Sequence, residues 1–265
     1  MPNKIVTIAG SDSISGGGIQ ADLATFAEYG VFGFSAITSI VTIVDDDFRI
    51  HEIDLTTLKE QLETIFALPD ILAIKIGLLP SVEIIGLVSD ILAKNQDKFI
   101  VCDPVLVFKE TSDVSTAHFA QEMIDNIFPY ADILTPNLEE AMIFANMQEI
   151  RTLDDVHLAA RRIIRKGAKS VVIKGGNRLA GDMAYDFYYD GLVSHTFANK
   201  KLDVNSNNGS GCTFSSAIAS NLANGLPMIV AIEDAKEFVY EGIKHGIAIS
   251  EELGNVWQAA RRKCN

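Results

Sequence analysis

The sequence has 265 residues, 48% of them hydrophobic, enough chain to bury the core of one large α/β domain, and a single domain over residues 1–265 is expected. Its formal net charge of -13, with basic runs no longer than Arg161-Arg162 and Arg261-Arg262-Lys263, disfavours nucleic acid as a partner. No apolar run approaches the about 18 residues that a membrane span requires.

The chain opens with a β-branched run at residues 5–9 and a polar, glycine-rich stretch from Gly10 to Asp22, in which a helical pattern begins at Gln20 and extends to Tyr29. Strands are then predicted at 34–41, 73–76, 99–103, 133–135 and 171–174, and helices at 55–66, 83–95, 116–127, 138–145 and 154–166. The strands are almost wholly apolar, as in a parallel sheet covered by helices on both faces. Residues 183–189 and 192–197 flank Asp190-Gly191 and read as an antiparallel hairpin at the sheet edge. Behind Cys212, the apolar residues Phe214, Ile218 and Leu222 mark a buried helical face that Asn224-Gly225 and Pro227 stop. No repeat, low-complexity tract or linker marks a domain boundary.

Ligands of such a sheet gather at the carboxyl ends of its strands, so the residues just beyond each strand are candidates. Asn208-Gly209-Ser210-Gly211-Cys212-Thr213 places a glycine turn at a helix N-terminus, where backbone N–H groups and the helix dipole converge on an anion and favour a thiolate at Cys212. Asp103 follows one strand, Asn137 and Glu140 another. Asn137 can cap the next helix and Glu140 can complete a capping box. Equally, Asp103, Asn137 and Glu140 could hold Mg²⁺, mostly through its water shell. Lys174-Gly175-Gly176 offers a cation beside a permissive turn. Gly16, Gly18 and Ala21 also fit a GxGxxA dinucleotide fingerprint, with Asp45 as the ribose acid, although the loop before Gly16 is too long for that tight turn. Cys102, Cys212 and Cys264 are odd in number and lack CxxC spacing, which argues against disulfides or zinc. The N-terminal Met1-Pro2-Asn3-Lys4 carries no cleavable leader pattern, so a reducing cytoplasm is expected.

Taken in order, Ala9-Gly10-Ser11-Asp12, Gly18-Ile19-Gln20-Ala21-Asp22, Asp103-Pro104-Val105, Thr135-Pro136-Asn137-Leu138-x-Glu140, Lys174-Gly175-Gly176 and Gly209-Ser210-Gly211-Cys212-Thr213 span nearly the whole chain. This pattern resembles the ribokinase-superfamily vitamin kinases, and within them the hydroxymethylpyrimidine kinase and pyridoxal kinase group. The resemblance implies a ribokinase-like three-layer α/β sandwich with a mostly parallel sheet. It also implies transfer of the ATP γ-phosphoryl group to a hydroxymethyl group on a heteroaromatic ring, with Mg²⁺, in a homodimer. On this basis Gly209, Ser210, Gly211 and Cys212 form the anion hole, Cys212 accepts the alcohol proton, and Gly211 also meets ATP. Asn137 and Glu140 serve Mg-ATP, Lys174, Gly175 and Gly176 meet nucleotide phosphates or ribose, and Asp186 makes a nucleotide-side contact. Gly10, Ser11, Asp12, Gly18 and Gln20 form the ring pocket.

Pyrimidine kinases of this group usually carry a Gln or Glu where this chain has Ile43. The loss of that polar partner favours pyridoxal, pyridoxine and pyridoxamine over the aminopyrimidine, with hydroxymethylpyrimidine or its phosphate as the alternative substrate. Residues 105–114, beginning at Val105, are expected to cover the ring and exclude water. The departures from the group are Ser13-Ile14-Ser15 for Pro-Ser-Gly, Asn208 for His, and Phe108-Lys109 where some relatives place a second cysteine.

Overall fold

The structure, a computed structural model, describes residues 1–45, 47–106 and 113–264. In chain order the elements are β1 (Lys4–Asp12), α1 (Gly18–Glu28), β2 (Phe32–Val44), β3 (Asp47–Glu52), α2 (Leu55–Phe66), β4 (Ile71–Ile76), α3 (Val82–Ala93), β5 (Phe99–Cys102), α4 (Asp113–Asn126) and β6 (Ile133–Leu134). They continue as α5 (Leu138–Ala145), α6 (Leu153–Ile164), β7 (Val171–Lys174), β8 (Met183–Tyr189), β9 (Ser194–Lys200), α7 (Ser210–Ala223), α8 (Met228–Lys244), β10 (Ile247–Ala248), β11 (Gly254–Asn255) and α9 (Ala260–Cys264). The large sheet has nine strands in the order β3-β2-β1-β4-β5-β6-β7-β8-β9, and β10 pairs with β11 separately. The expected α/β class with a large, mostly parallel sheet is therefore borne out. No helix among the described residues is long and apolar enough to cross a membrane.

The chain divides into two compact units, the first comprising residues 1–80, 97–101 and 202–265. There β1 runs parallel to both β2 and β4, and its residues Ile5, Val6, Ile8 and Ala9 are fully buried, which is why this strand reads as an unbroken apolar run. Helix α7 packs on α1, α8, β1 and β4, and every residue from Thr213 to Ala223 is buried. Its interior polar residues are satisfied locally or across the core: Ser215 donates to the Gly211 and Cys212 carbonyls, and Ser220 to the Ser216 carbonyl. Strand β2 extends beyond the expected 34–41 because its far half pairs antiparallel with β3.

The second unit comprises residues 81–96 and 102–201. Its strands β6 and β7 are parallel, while β7-β8 and β8-β9 are antiparallel, with α5 packed on α6 and α6 on β7 and β8. The hairpin is present, but the expected two-residue Asp-Gly turn is a longer loop, because the register pairs Tyr189 with Ser194. The Asp190 carboxylate accepts from the amides of Leu192 and Val193, and Gly191 has φ 92°, so one side chain organises the whole tip.

Candidate active site

In the first unit, the loop that leaves β1 and the loop that enters α7 pack backbone to backbone. Asp12 organises the former: its carboxylate accepts from the amides of Ile14 (3.0 Å) and Gly17 (2.8 Å), while its own amide donates to Gln20 Oε1 (2.9 Å). Gln20 Nε2 then donates to Ser11 Oγ at 2.8 Å, so three of the residues expected in the ring pocket brace one another. Gly18, with φ 60°, opens α1, and a Cβ there would collide with the Gly10 carbonyl oxygen. The second loop ends at Gly209, whose φ of 82° and approach to the Gly16 carbonyl likewise admit no side chain. Asn208 Nδ2 donates to Asn255 Oδ1 (2.9 Å), and Asn255 Nδ2 to the Ile14 carbonyl (2.9 Å), so β11 ties the two loops together.

Because Gly209 is the N-cap of α7 and has no side chain, no side-chain acceptor caps that helix. The first-turn amides of Gly211 and Cys212 thus stand at the positive helix end that the sequence predicts, whereas the Ser210 amide donates to the Asn207 carbonyl at 3.1 Å. Cys212 is half-buried, and a Cβ on Gly17 would lie 3.6 Å from its sulfur. The Gly209–Cys212 turn and the Gly10–Gln20 loop therefore meet, with Cys212 Sγ at their seam.

In the second unit, β6 and β7 deliver Asn137 and Lys174 side by side as an isolated parallel bridge. Asn137 caps α5: its side chain accepts from the Glu140 amide (3.0 Å), and Glu140 Oε2 accepts from the Asn137 amide (2.8 Å), the capping box expected from sequence. Buried Asp103 Oδ1 accepts from Lys174 Nζ (2.7 Å) and Thr135 Oγ1 (2.9 Å). Burial raises the Glu140 carboxyl to about 7; the Lys174 ammonium opposes this and the Asp103 charge reinforces it. Asp186, opposite Lys174 in the β7-β8 register, accepts from the Gly175 amide at 3.1 Å. A Cβ on Gly175 would strike the Tyr185 carbonyl, and Gly176 has φ 53°, so this turn is fixed by the hairpin behind it.

Of the residues that the sequence singles out, Gly10, Ser11, Asp12, Gly18 and Gln20 fall with Gly209 to Cys212 in the first unit, and Asp103, Asn137, Glu140, Lys174, Gly175, Gly176 and Asp186 in the second. Ile43 lies on β2 beyond Val41, to which Ser13 is hydrogen-bonded, and it is exposed rather than enclosed. Val105 is half-buried and its amide donates to the Asp103 carbonyl. Most of the expected cover over 105–114, including Phe108 and Lys109, lies outside the described residues. Asp45, the acid that a dinucleotide reading would need, sits exposed in the turn between β2 and β3 with φ 52°. Asn255 was not foreseen; nothing marks a lone asparagine in a two-residue strand. Nor was the buried tie of Asp22 to Lys75, although Asp22 closes one of the quoted motifs.

Residues 12–257 match the family model described as phosphomethylpyrimidine kinase. The chain is 39% identical over 263 residues to the pyridoxine kinase of Bacillus subtilis (strain 168), covering 98% of this chain and 97% of the relative. An ADP complex of Bacillus subtilis pyridoxal kinase superposes with a TM-score of 0.95 at 38% identity, covering 99% of this chain and 100% of that one. The pyridoxal kinase from Staphylococcus aureus in complex with AMP-PCP and pyridoxal gives a TM-score of 0.92 at 34% identity, covering 99% and 96%.

Proposed function

The chain belongs to the phosphomethylpyrimidine kinase family, and from that premise we propose that it is an ATP-dependent kinase of vitamin B6. Its acceptor is an alcohol: the 5′-hydroxymethyl oxygen of pyridoxal, pyridoxine or pyridoxamine attacks the ATP γ-phosphorus, the bond from that phosphorus to the β,γ-bridging oxygen breaks, and ADP leaves. The observation that carries the reading is the position of Cys212, half-buried at the uncapped N-terminus of α7 and beside Gly17 of the Asp12–Gln20 loop. In this reading the Gly209-Ser210-Gly211-Cys212 turn forms the anion hole, with the Ser210 amide held by the Asn207 carbonyl and the neighbouring amides receiving the phosphoryl oxygens, and Cys212 Sγ takes the hydroxyl proton. Gly10, Ser11, Asp12, Gly18 and Gln20 line the ring in this reading, and Ile43 and Val105 are added to it on the family resemblance alone.

Lys174, Gly175, Gly176 and Asn137 serve the nucleotide, and Asp186 acts by fixing the Gly175 amide. Asp103 and Glu140 are hard oxygen donors, and burial, reinforced by the Asp103 charge, raises the Glu140 carboxyl, a donor set that fits Mg²⁺ held through its waters. When bound, that ion neutralises nucleotide phosphate charge. A homodimer is the further expectation that the family resemblance carries, and a reducing cytoplasm the one that the three scattered cysteines carry; sedimentation velocity of the purified chain tests the first.

Steady-state kinetics with pyridoxal and with hydroxymethylpyrimidine test the substrate. The aminopyrimidine edge finds no polar side chain at Ile43, so pyridoxal should have the higher kcat/KM, and a large preference for the pyrimidine reverses the assignment. Cys212→Ala should lower kcat about a hundredfold or more while ADP affinity is retained, which is the range removed with a general base. A wild-type chain as inert as that variant would instead point to a vitamin-binding regulator.

A further inference from the structure

The first unit holds an ion pair with no solvent contact at all: Lys75 on β4 and Asp22 on α1, 2.9 Å apart, both side chains 0% exposed. The Asp22 carboxylate is the hub of four elements. Thr7 of β1 donates to its Oδ2 at 2.6 Å, Lys75 Nζ to the same oxygen at 2.9 Å, and Ser216 of α7 to its Oδ1 at 2.6 Å. Two of these elements are the ones whose N-termini build the candidate site. Asp22 lies one turn beyond Gly18 on α1, and Ser216 lies one turn beyond Cys212 on α7, so each is on the same helical face as the site residue above it.

Stability alone gives no reason for such a pair. Burying two charges carries a large desolvation cost for each ion, and well-packed apolar side chains of the same volume commonly serve as well or better. What an apolar pair cannot supply is direction. Thr7 and Lys75 hold the Asp22 carboxylate in one orientation, and the 2.6 Å bond from Ser216 then sets α7 against α1 at that point, where apolar contacts tolerate sliding. The space around the pair is also shaped for it, since a Cβ on Gly77 would come within 2.8 Å of Lys75 Nζ.

We propose that Asp22, held by Lys75 and Thr7, is a positioning residue that sets the register of the Cys212 end of α7 against the Gly18–Gln20 loop through its hydrogen bond from Ser216. The proposal rests on the kinase reading above. A misplacement of about 1 Å at a reacting group can lower turnover about a hundredfold without changing the groups themselves.

The test uses Ser216→Ala, which leaves the ion pair paired, and the double variant Asp22→Asn/Lys75→Met, which removes both charges together. Each is assayed for kcat, KM for ATP and vitamin, and Tm. Both should lose about tenfold or more in kcat with KM for ATP within about twofold of wild type, a split that a purely structural contact does not produce. Should the double variant fail to fold, Ser216→Ala decides alone, because it deletes only one hydroxyl. Folded variants whose kcat stays within about twofold of wild type, whatever their Tm, overturn the proposal. A wild-type chain that turns over neither vitamin nor pyrimidine overturns the kinase reading instead.

Discussion

Glu140 serves two ends that pull its carboxyl in opposite directions. As N3 of α5 it accepts the Asn137 amide, and as a member of the Asp103–Lys174 group it sits where burial raises its proton affinity to about 7 from an ordinary 4.5. The folded chain therefore binds this proton more tightly than the unfolded chain does. The sign follows: stability from this group is fully present below about pH 4.5, declines as pH rises toward 7 and is lost above it. The loss is on the order of 3 kcal/mol. Glu140→Gln keeps an oxygen for the capping box and removes the charge. Without nucleotide, the variant should melt close to wild type at pH 5 and several degrees higher at pH 8, in paired thermal scans. A variant that melts lower than wild type at pH 8 would mean that the carboxylate is stabilised by Lys174 rather than strained by burial. Adding Mg²⁺ and ADP should reverse the order at pH 8, since the charge then gains a partner.

Where β1 ends and α7 begins, the backbone leaves no room for side chains, and this makes two loops act as one part. Gly209→Ala places a Cβ against the Gly16 carbonyl at φ 82°. The left-handed conformation alone costs about 1–2 kcal/mol, and relief of the collision moves the Gly16–Gly18 segment together with Cys212. The expected result is a lower Tm with at least about a tenfold loss of kcat. Gly225→Ala, just past the far end of α7, is the matched control, with φ 85° and no atom within 4 Å of the added Cβ, so it should cost stability alone. The strands at 5–9 and 171–174 were legible because both faces are buried, and the capping box at Asn137 and Glu140 because a helix start writes its residue types locally. Strand β3 was not legible: Asp47, Arg49, His51 and Glu52 leave it almost wholly exposed, so it has no buried face to impose alternation. The hairpin tip was misjudged in length because Asp190 satisfies two amides, which a dipeptide rule does not encode. Asp22 and Lys75 were invisible as a pair because 53 residues separate them and only the packing of β4 beneath α1 and α7 joins them.

A chain with a net charge of -13 that is proposed to bind ATP must collect its positive field locally. Two such sources are on view, and they differ in kind. The first unit offers backbone amides at the start of α7, whose partial charges do not titrate and cannot be removed by side-chain substitution. The second offers the Lys174 ammonium, 2.7 Å from Asp103 and therefore already neutralised by a carboxylate. In the proposed reading a nucleotide would compete with Asp103 for Lys174, and the carboxylates of Asp103 and Glu140 would be freed for a divalent cation that eases that competition. Nucleotide affinity should accordingly depend on the divalent ion more than on bulk ionic strength, and thermal shift reads this directly. At about 100 times its dissociation constant a ligand stabilises by about 2.7 kcal/mol, which for a chain of 265 residues corresponds to a rise in Tm of about 5 °C. ADP with Mg²⁺ should give a rise of that size, and ADP with a chelator only a small part of it. Cys212→Ser should retain the full shift, because the amides that face the phosphate belong to the backbone. Lys174→Ala should lose most of the shift, and it should also leave Asp103 as a buried carboxylate without its cation, so its own Tm without ligand should fall. A full ADP shift that survives both chelation and Lys174→Ala would place the nucleotide elsewhere and remove the role assigned to Asp103, Glu140 and Lys174.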